Sequence, residues 1–133
     1  MTHDQLSAMA LADDPRTFFL SGEIIGPLAD DEINFVLDSP WPFDVLEMWH
    51  FSEAAGGDVK LLIDSDEILF DDTAANGVPV NTGIKVRSDV VGTIFTVGIN
   101  GALVLKVEVA DTGVTKIAVQ VMCRRLIAPA EVT

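Results

Sequence analysis

The most constraining feature of the chain is the run LVLKVEVADTGVTKIAVQVMC over residues 103–123. Leu103, Leu105, Val107 and Val109 alternate with Val104, Lys106 and Glu108. Ile117, Val119, Val121 and Cys123 alternate with Lys116, Ala118, Gln120, Met122 and Arg124. A period of two sends successive side chains to opposite faces of a strand, so each run has one apolar face to bury and one wetter face. Register is then strongly set, because a slip by one residue would turn the apolar face to water. Asp111-Thr112-Gly113 separates the runs and offers a glycine for a positive φ, which predicts a hairpin.

The rest of the chain reads in the same way. TFFLSGEIIG (17–26), EINFVL (32–37), FDVLEMWHFS (43–52), DVKLLID (58–64), EILF (67–70), IKVRS (84–88) and VVGTIFTVG (90–98) are strand-like, and turn residues separate them. Pro40 and Pro42 flank Trp41 and block both helix and central strand, since neither donates a ladder hydrogen bond. Within 43–52, strict alternation puts Phe43, Val45, Glu47, Trp49 and Phe51 on one face and Leu46, Met48 and His50 on the other. Such a strand is apolar on both sides, as expected for one buried on two faces or lying against another subunit. Val59, Leu61 and Ile63 are expected to point inward.

About eight strands with turns every 8–12 residues predict an all-β fold, an antiparallel β-sandwich or jelly roll. Residues 17–127 form the sandwich on this reading, and 128–133 a C-terminal tail. Residues 1–16 form a short N-terminal arm or helix, where LSAMALA has good helix formers and Asp13-Asp14-Pro15 stops them. Leu6, Met9 and Leu11 give that arm an apolar side too small to fold alone, so they are candidate contacts to a neighbour.

Charge narrows the partners. The formal net charge is −13, and it is unevenly placed. Residues 1–59 hold 12 acidic side chains and one base, Arg16, while residues 60–133 hold 9 acids and 7 bases. Nucleic-acid binding is not expected, because phosphate contacts need clustered Lys and Arg. No apolar run approaches the length of a membrane span. The N-terminus lacks the basic region of a signal peptide. Cys123, the single cysteine, permits no internal disulfide and reads as a buried, inert thiol of a reducing compartment.

The search for chemistry predicts no enzyme, no cofactor and no metal centre. His3 and His50 are the only histidines, and no Cys/His spacing suits zinc. Asp64-Ser65-Asp66-Glu67 opens like a calcium loop, but Ile68 and Leu69 stand where such a loop needs an acid or amide and a glycine. With Asp71-Asp72 nearby, an irregular calcium site within 64–72 is the one metal option. No G-x-S-x-G elbow exists, and the glycines precede no helix that would bind phosphate. His50, between Trp49 and Phe51, reads as a hydrogen-bonded structural or interface histidine. Trp41, Phe43, Trp49 and Phe51 fall within eleven residues, as core or interface anchors or as a platform for sugar.

The order of these pieces resembles the small jelly-roll module of tailed-phage heads and fibres. The resemblance rests on Gly22 or Gly26 closing the first strand, Pro42-Phe43-Asp44-Val45-Leu46, and Gly56-Gly57-Asp58-Val59-Lys60-Leu61-Leu62-Ile63-Asp64. It continues from Gly101-Ala102-Leu103-Val104-Leu105-Lys106-Val107 through Gly113 to Ile117-Ala118-Val119-Gln120-Val121, with Asn100-Gly101 where the family often has Gly-Asp. It implies a virion structural protein assembled in the host cytoplasm: a capsid decoration (cement) protein, homotrimeric, whose partner is the major capsid protein or another virion protein. The alternative it implies is a head or tail fibre module that grips host glycan. Partner-binding candidates are Leu6, Met9, Leu11, Trp41, Phe43, Met48, Trp49 and His50, and no catalytic residue comes with the resemblance.

Overall fold

The computed structural model describes residues 15–74, 77–80, 83, 85–91 and 95–126. The arm candidates Leu6, Met9 and Leu11 lie outside these residues, as does the tail. The described residues form ten strands, in chain order β1 (Thr17–Ile25), β2 (Glu32–Val36), β3 (Phe43–Ser52), β4 (Gly57–Ile63), β5 (Asp66–Glu67), β6 (Val78–Pro79), β7 (Val86–Asp89), β8 (Phe95–Val97), β9 (Leu103–Ala110) and β10 (Lys116–Arg125). They form two antiparallel sheets, and the described residues include no helix. The first sheet runs β1-β10-β3-β7, with β8 also on β3; the second runs β2-β9-β4-β5, with β6 also on β4. First strand beside last, and second beside next-to-last, is the connectivity of a jelly roll.

This connectivity corrects the hairpin expected at 103–123. β9 pairs with β2 and β4, whereas β10 pairs with β1 and β3, so the two strands lie in opposite sheets. Alternation reports which face of a strand is apolar but not which strand lies beside it. The connection is an arch across the end of the sandwich, and Val114, only 3% exposed, plugs that end. Asp111 N donates to Gly56 O, and Val114 N to Asp111 O, both at 3.0 Å. Gly56, at φ 107°, takes a left-handed conformation there, and a Cβ on it would collide with the Asp111 side chain.

The core fills the space between the sheets. Val59, Leu61, Leu103, Leu105 and Val107 come from the second sheet, and Phe43, Val45, Met48, Ile117, Val119, Val121 and Cys123 from the first. Ile63 is only partly buried. Phe18 meets Phe43 edge to face, centroids 5.2 Å apart. Burial pushes the Cys123 thiol up to about 12, as an inert core residue requires. Val109 does not point inward as expected. A bulge between Asp58 and Val59 in the β4–β9 pairing shifts the phase, so that Ala110 packs on the core instead.

The two long sides of the sandwich differ. Beyond β7 the side is closed: Phe70 and Val90 form a bridge, Asp71 N donates to Asp89 O at 2.9 Å, and Val91 N to Leu69 O at 3.1 Å. On the other side, β1 and β2 end their sheets. Gly22 lies where these edges approach, and a Cβ on it would sit 2.9 Å from Ile33 Cγ2.

Candidate functional site

The outer face of the first sheet is built by a break in β3. Val45 faces Cys123 and Glu47 faces Met122, so Leu46 is an extra residue on β3. The bulge reverses the phase of the strand. Phe43 and Val45 point into the core before it; after it Met48, His50 and Ser52 do. Unbroken alternation from Phe43 places Trp49 and Phe51 with the core residues, and the structure puts them outside instead. Of the candidates, Phe43, Met48 and His50 are therefore buried in the interior, while Trp49 is on the surface.

The pairings set out that surface in rows. Phe19 stands beside Met122 and Glu47, Ser21 beside Gln120, Trp49 and Arg87, and Glu23 beside Ala118 and Phe51. Phe19 is 46% exposed; Trp49 and Phe51 are half-buried. Trp49 Nε1 donates to Glu47 Oε1 at 3.0 Å, and the other oxygen of Glu47 holds Arg87 Nε at 3.1 Å. Arg87 also pairs with Asp89 Oδ1 at 2.9 Å. The indole is thereby fixed by a charged neighbour. A shallow depression of about 640 Å³ lies over Ser21, Glu23, Trp49, Phe51, Lys85 and Gln120.

Trp41 is not part of this face. It is half-buried at one end of the sandwich, packed partly on the core, and the Arg125 guanidinium covers its ring at 3.9 Å from the centroid. The loop that carries it is tied down: Ser39 Oγ donates to Trp41 O at 2.6 Å, and Ser39 N to Gly101 O at 3.0 Å.

Beneath Trp49, His50 has partners that its sequence neighbours do not reveal. Its Nε2 lies 2.7 Å from Ser88 Oγ and 3.5 Å from Asp72 Oδ2, and Ser88 Oγ donates to Asp72 Oδ2 at 2.8 Å. Ser88 has one hydroxyl proton and gives it to Asp72, so Nε2–H of the histidine is the donor to Ser88. Nδ1 is left buried without a partner among the described residues. Burial lowers the His50 pKa below 6.5, while the Asp72 and Asp71 charges and a hydrogen bond to Asp72 pull the other way. A serine nucleophile needs a base placed to take its proton. Here serine and carboxylate share one imidazole nitrogen, and the cluster ties β3 and β7 to the 71–72 turn.

The acidic segment 64–72 opens with a tight turn and continues into β5 and the Phe70 bridge. Asp64 and Ser65 have φ of 48° and 78°, as a two-residue type I′ hairpin requires between β4 and β5. Asp64 Oδ1 accepts from Ala102 N at 2.9 Å. Among the described residues no three His, Cys, Asp or Glu side chains converge as metal ligands. The outer face of the second sheet is charged, with Lys60 beside Glu108 at 3.6 Å and Lys106 beside Asp30 at 3.3 Å.

No family model matches the chain, and no curated protein matches it either. Its fold is similar to solved phage capsid chains. One comes from the acid-stable capsid of Helicobacter pylori bacteriophage KHP30, at 12% identity and TM-score 0.47, covering 81% of this chain and 86% of that one. Another comes from the capsid asymmetric unit of cyanophage Pam1, at 16% identity and TM-score 0.44, covering 81% and 82%. The catalytic domain of a GH87 α-1,3-glucanase in complex with nigerose matches at 9% identity and TM-score 0.45, covering 86% of this chain but 29% of that one. Likeness at this level spans capsid and enzyme chains alike.

Proposed function

We propose that this chain is a virion structural protein, a decoration protein that docks on a phage head through the outer face of its first sheet. The observation that carries the reading is the contrast between the two outer faces. The second sheet shows water a set of ion pairs, of the kind worth little to stability at a surface. The first shows Trp49 and Phe51 at a depression that Glu23 and Lys85 also line, with Phe19 exposed on the same face, the aromatic enrichment of a protein interface. The resemblance read from the strand motifs supplies the virion context. On this reading the chain is a homotrimer, its partner is the major capsid protein, it takes no cofactor, and it is not an enzyme.

The test is co-sedimentation with heads of the phage that encodes the chain. Wild-type protein should pellet with heads, and Trp49→Ala/Phe51→Ala should stay in the supernatant while keeping its far-UV spectrum. Equal pelleting of both overturns the docking face. Sedimentation equilibrium addresses the trimer: a mass that stops at one or two protomers of 14.3 kDa removes it.

A second reading rests on the depression itself, where Ser21, Gln120 and Lys85 edge Trp49 as polar groups edge a stacked sugar. Host polysaccharide that quenches Trp49 fluorescence, in a titration abolished by Trp49→Phe, favours glycan recognition. An unchanged spectrum at saturating polysaccharide favours the decoration reading.

A further inference from the structure

We infer that β1 is a docking edge for a second copy of this chain, pairing β1 with β1 of a partner protomer about a two-fold axis at Gly22. The phase of the β1–β10 ladder shows which groups are available. Arg16 O accepts from Arg125 N at 2.8 Å and Gly26 N donates to Thr115 O at 2.9 Å. In an antiparallel ladder, opposed residues alternate between bonded and non-bonded pairs. Even-numbered residues of β1 therefore turn their N–H and C=O groups to β10. Thr17, Phe19, Ser21, Glu23 and Ile25 turn theirs to the open edge, where none has a backbone partner among the described residues.

Among the described residues the other edges are short, bulged or covered, and this one is not. β2 is five residues long and bulged, β5 and β6 have two residues each, β8 has three, and β7 is closed by the 69–72 segment. β1 runs nine residues in unbroken register, with no proline and one charge, Glu23. A long edge in unbroken register with a single charge is a template for another strand.

The residues choose the partner and the register. On the outer face of β1 the exposed apolar side chains are Phe19, 46% exposed, and Ile25, 69% exposed. An antiparallel pair centred on Gly22 sets Phe19 against Ile25 of the partner and Ser21 against Glu23, and repeats both contacts across the axis. Every edge-directed residue from Phe19 to Ile25 then exchanges hydrogen bonds with another. Centring on Ser21 would set Phe19 against Glu23, and centring on Glu23 would oppose two carboxylates. The strand is thus self-complementary in one register, as a two-fold contact demands. The pairing does not rest on the virion reading; a two-fold contact cannot lie within a three-fold ring, so beside the proposed trimer it would join protomers of two different trimers.

The test is a disulfide trap. Phe19→Cys/Ile25→Cys, oxidised in solution, should give a covalent dimer on a non-reducing gel, because residues so opposed lie at disulfide distance. Neither single variant should do so, and Cys123, 0% exposed, is out of reach. A double variant that stays monomeric with a native far-UV spectrum overturns the inference, and so do single variants that cross-link as strongly. Amide exchange on the wild-type chain gives a second readout. Raising the concentration should slow the amides of Phe19, Ser21, Glu23 and Ile25 by about tenfold or more and leave those of Leu20 and Ile24 unchanged. Rates independent of concentration overturn the pairing.

Discussion

The reversal of phase at Leu46 can be tested by truncating adjacent residues of β3. Met48 is fully buried and belongs to the core side, whereas Trp49 is half-buried on the outer face. Met48→Ala removes three heavy atoms from a packed interior, at a cost of about 3 kcal/mol within a usual range of about 2–5. The entropy of unfolding is about 2.1 cal/mol/K per residue, so a chain of this length has about 0.28 kcal/mol/K and the expected fall in Tm is about 11 °C. Trp49→Ala loses part of a surface indole and its bond to Glu47, about 1–1.5 kcal/mol or about 4–5 °C. Were alternation unbroken from Phe43, Trp49 would be the core residue, and its loss would cost about 3–5 kcal/mol, or about 11–18 °C. Thermal melts of the two variants followed by circular dichroism separate these cases. A Trp49→Ala protein that melts at or below the Met48→Ala protein refutes the reasoning.

Three further outcomes follow from single sites. Burial holds His50 below its ordinary 6.5, so between the two values the unfolded chain binds more protons than the folded one. That contribution is complete above about pH 6.5 and is lost as pH falls through the lower folded value; urea midpoints should drop more steeply with acid in wild type than in His50→Gln, and parallel curves contradict it. Asp64→Val puts a β-branched residue at a left-handed position and should cost about 1–3 kcal/mol by urea unfolding, while Asp64→Asn should cost under about 1, and equal losses would refute the turn assignment. Cys123 should react with a thiol reagent at pH 8 only as the protein unfolds, so prompt labelling of the native chain would contradict its burial.

The strands were legible because β-branched and aromatic runs alternate between clear breakers; β3 matches its expected bounds at both ends. What failed was partner and phase. FDVLEMWHF is apolar in both phases, so nothing in it marks Leu46 as the residue where the phase reverses. The partners of His50 come from β7 and the 71–72 turn, a pairing made by topology and invisible to local pattern. β6 was missed because Val78-Pro79 is two residues inside a polar connection, too short to show a period. The arch between β9 and β10 left no mark either, because alternation on either side of Asp111-Thr112-Gly113 reads the same whether the two strands pair or cross between sheets. The aromatic cluster at 41–51 was legible as a cluster but not as three fates: Phe43 in the core, Trp41 under Arg125, and Trp49 with Phe51 outside.

On the proposed decoration reading, the outer face of the first sheet also sets how strongly one protomer holds a partner. Phe19, Trp49 and Phe51 together leave on the order of 200 Å² of apolar surface open, worth about 5 kcal/mol when fully covered. Association itself costs about 4–15 kcal/mol in lost freedom. One copy on one site is therefore weakly held, and retention must come from several copies acting as a unit, where each further contact is intramolecular. The aromatic face and the oligomer are then separable requirements. A variant kept monomeric with Trp49 and Phe51 intact should bind heads and wash off within the dead time of a spin column. A monomer that remains on the heads as long as wild type would show that the face alone suffices, and that oligomerisation serves some other end.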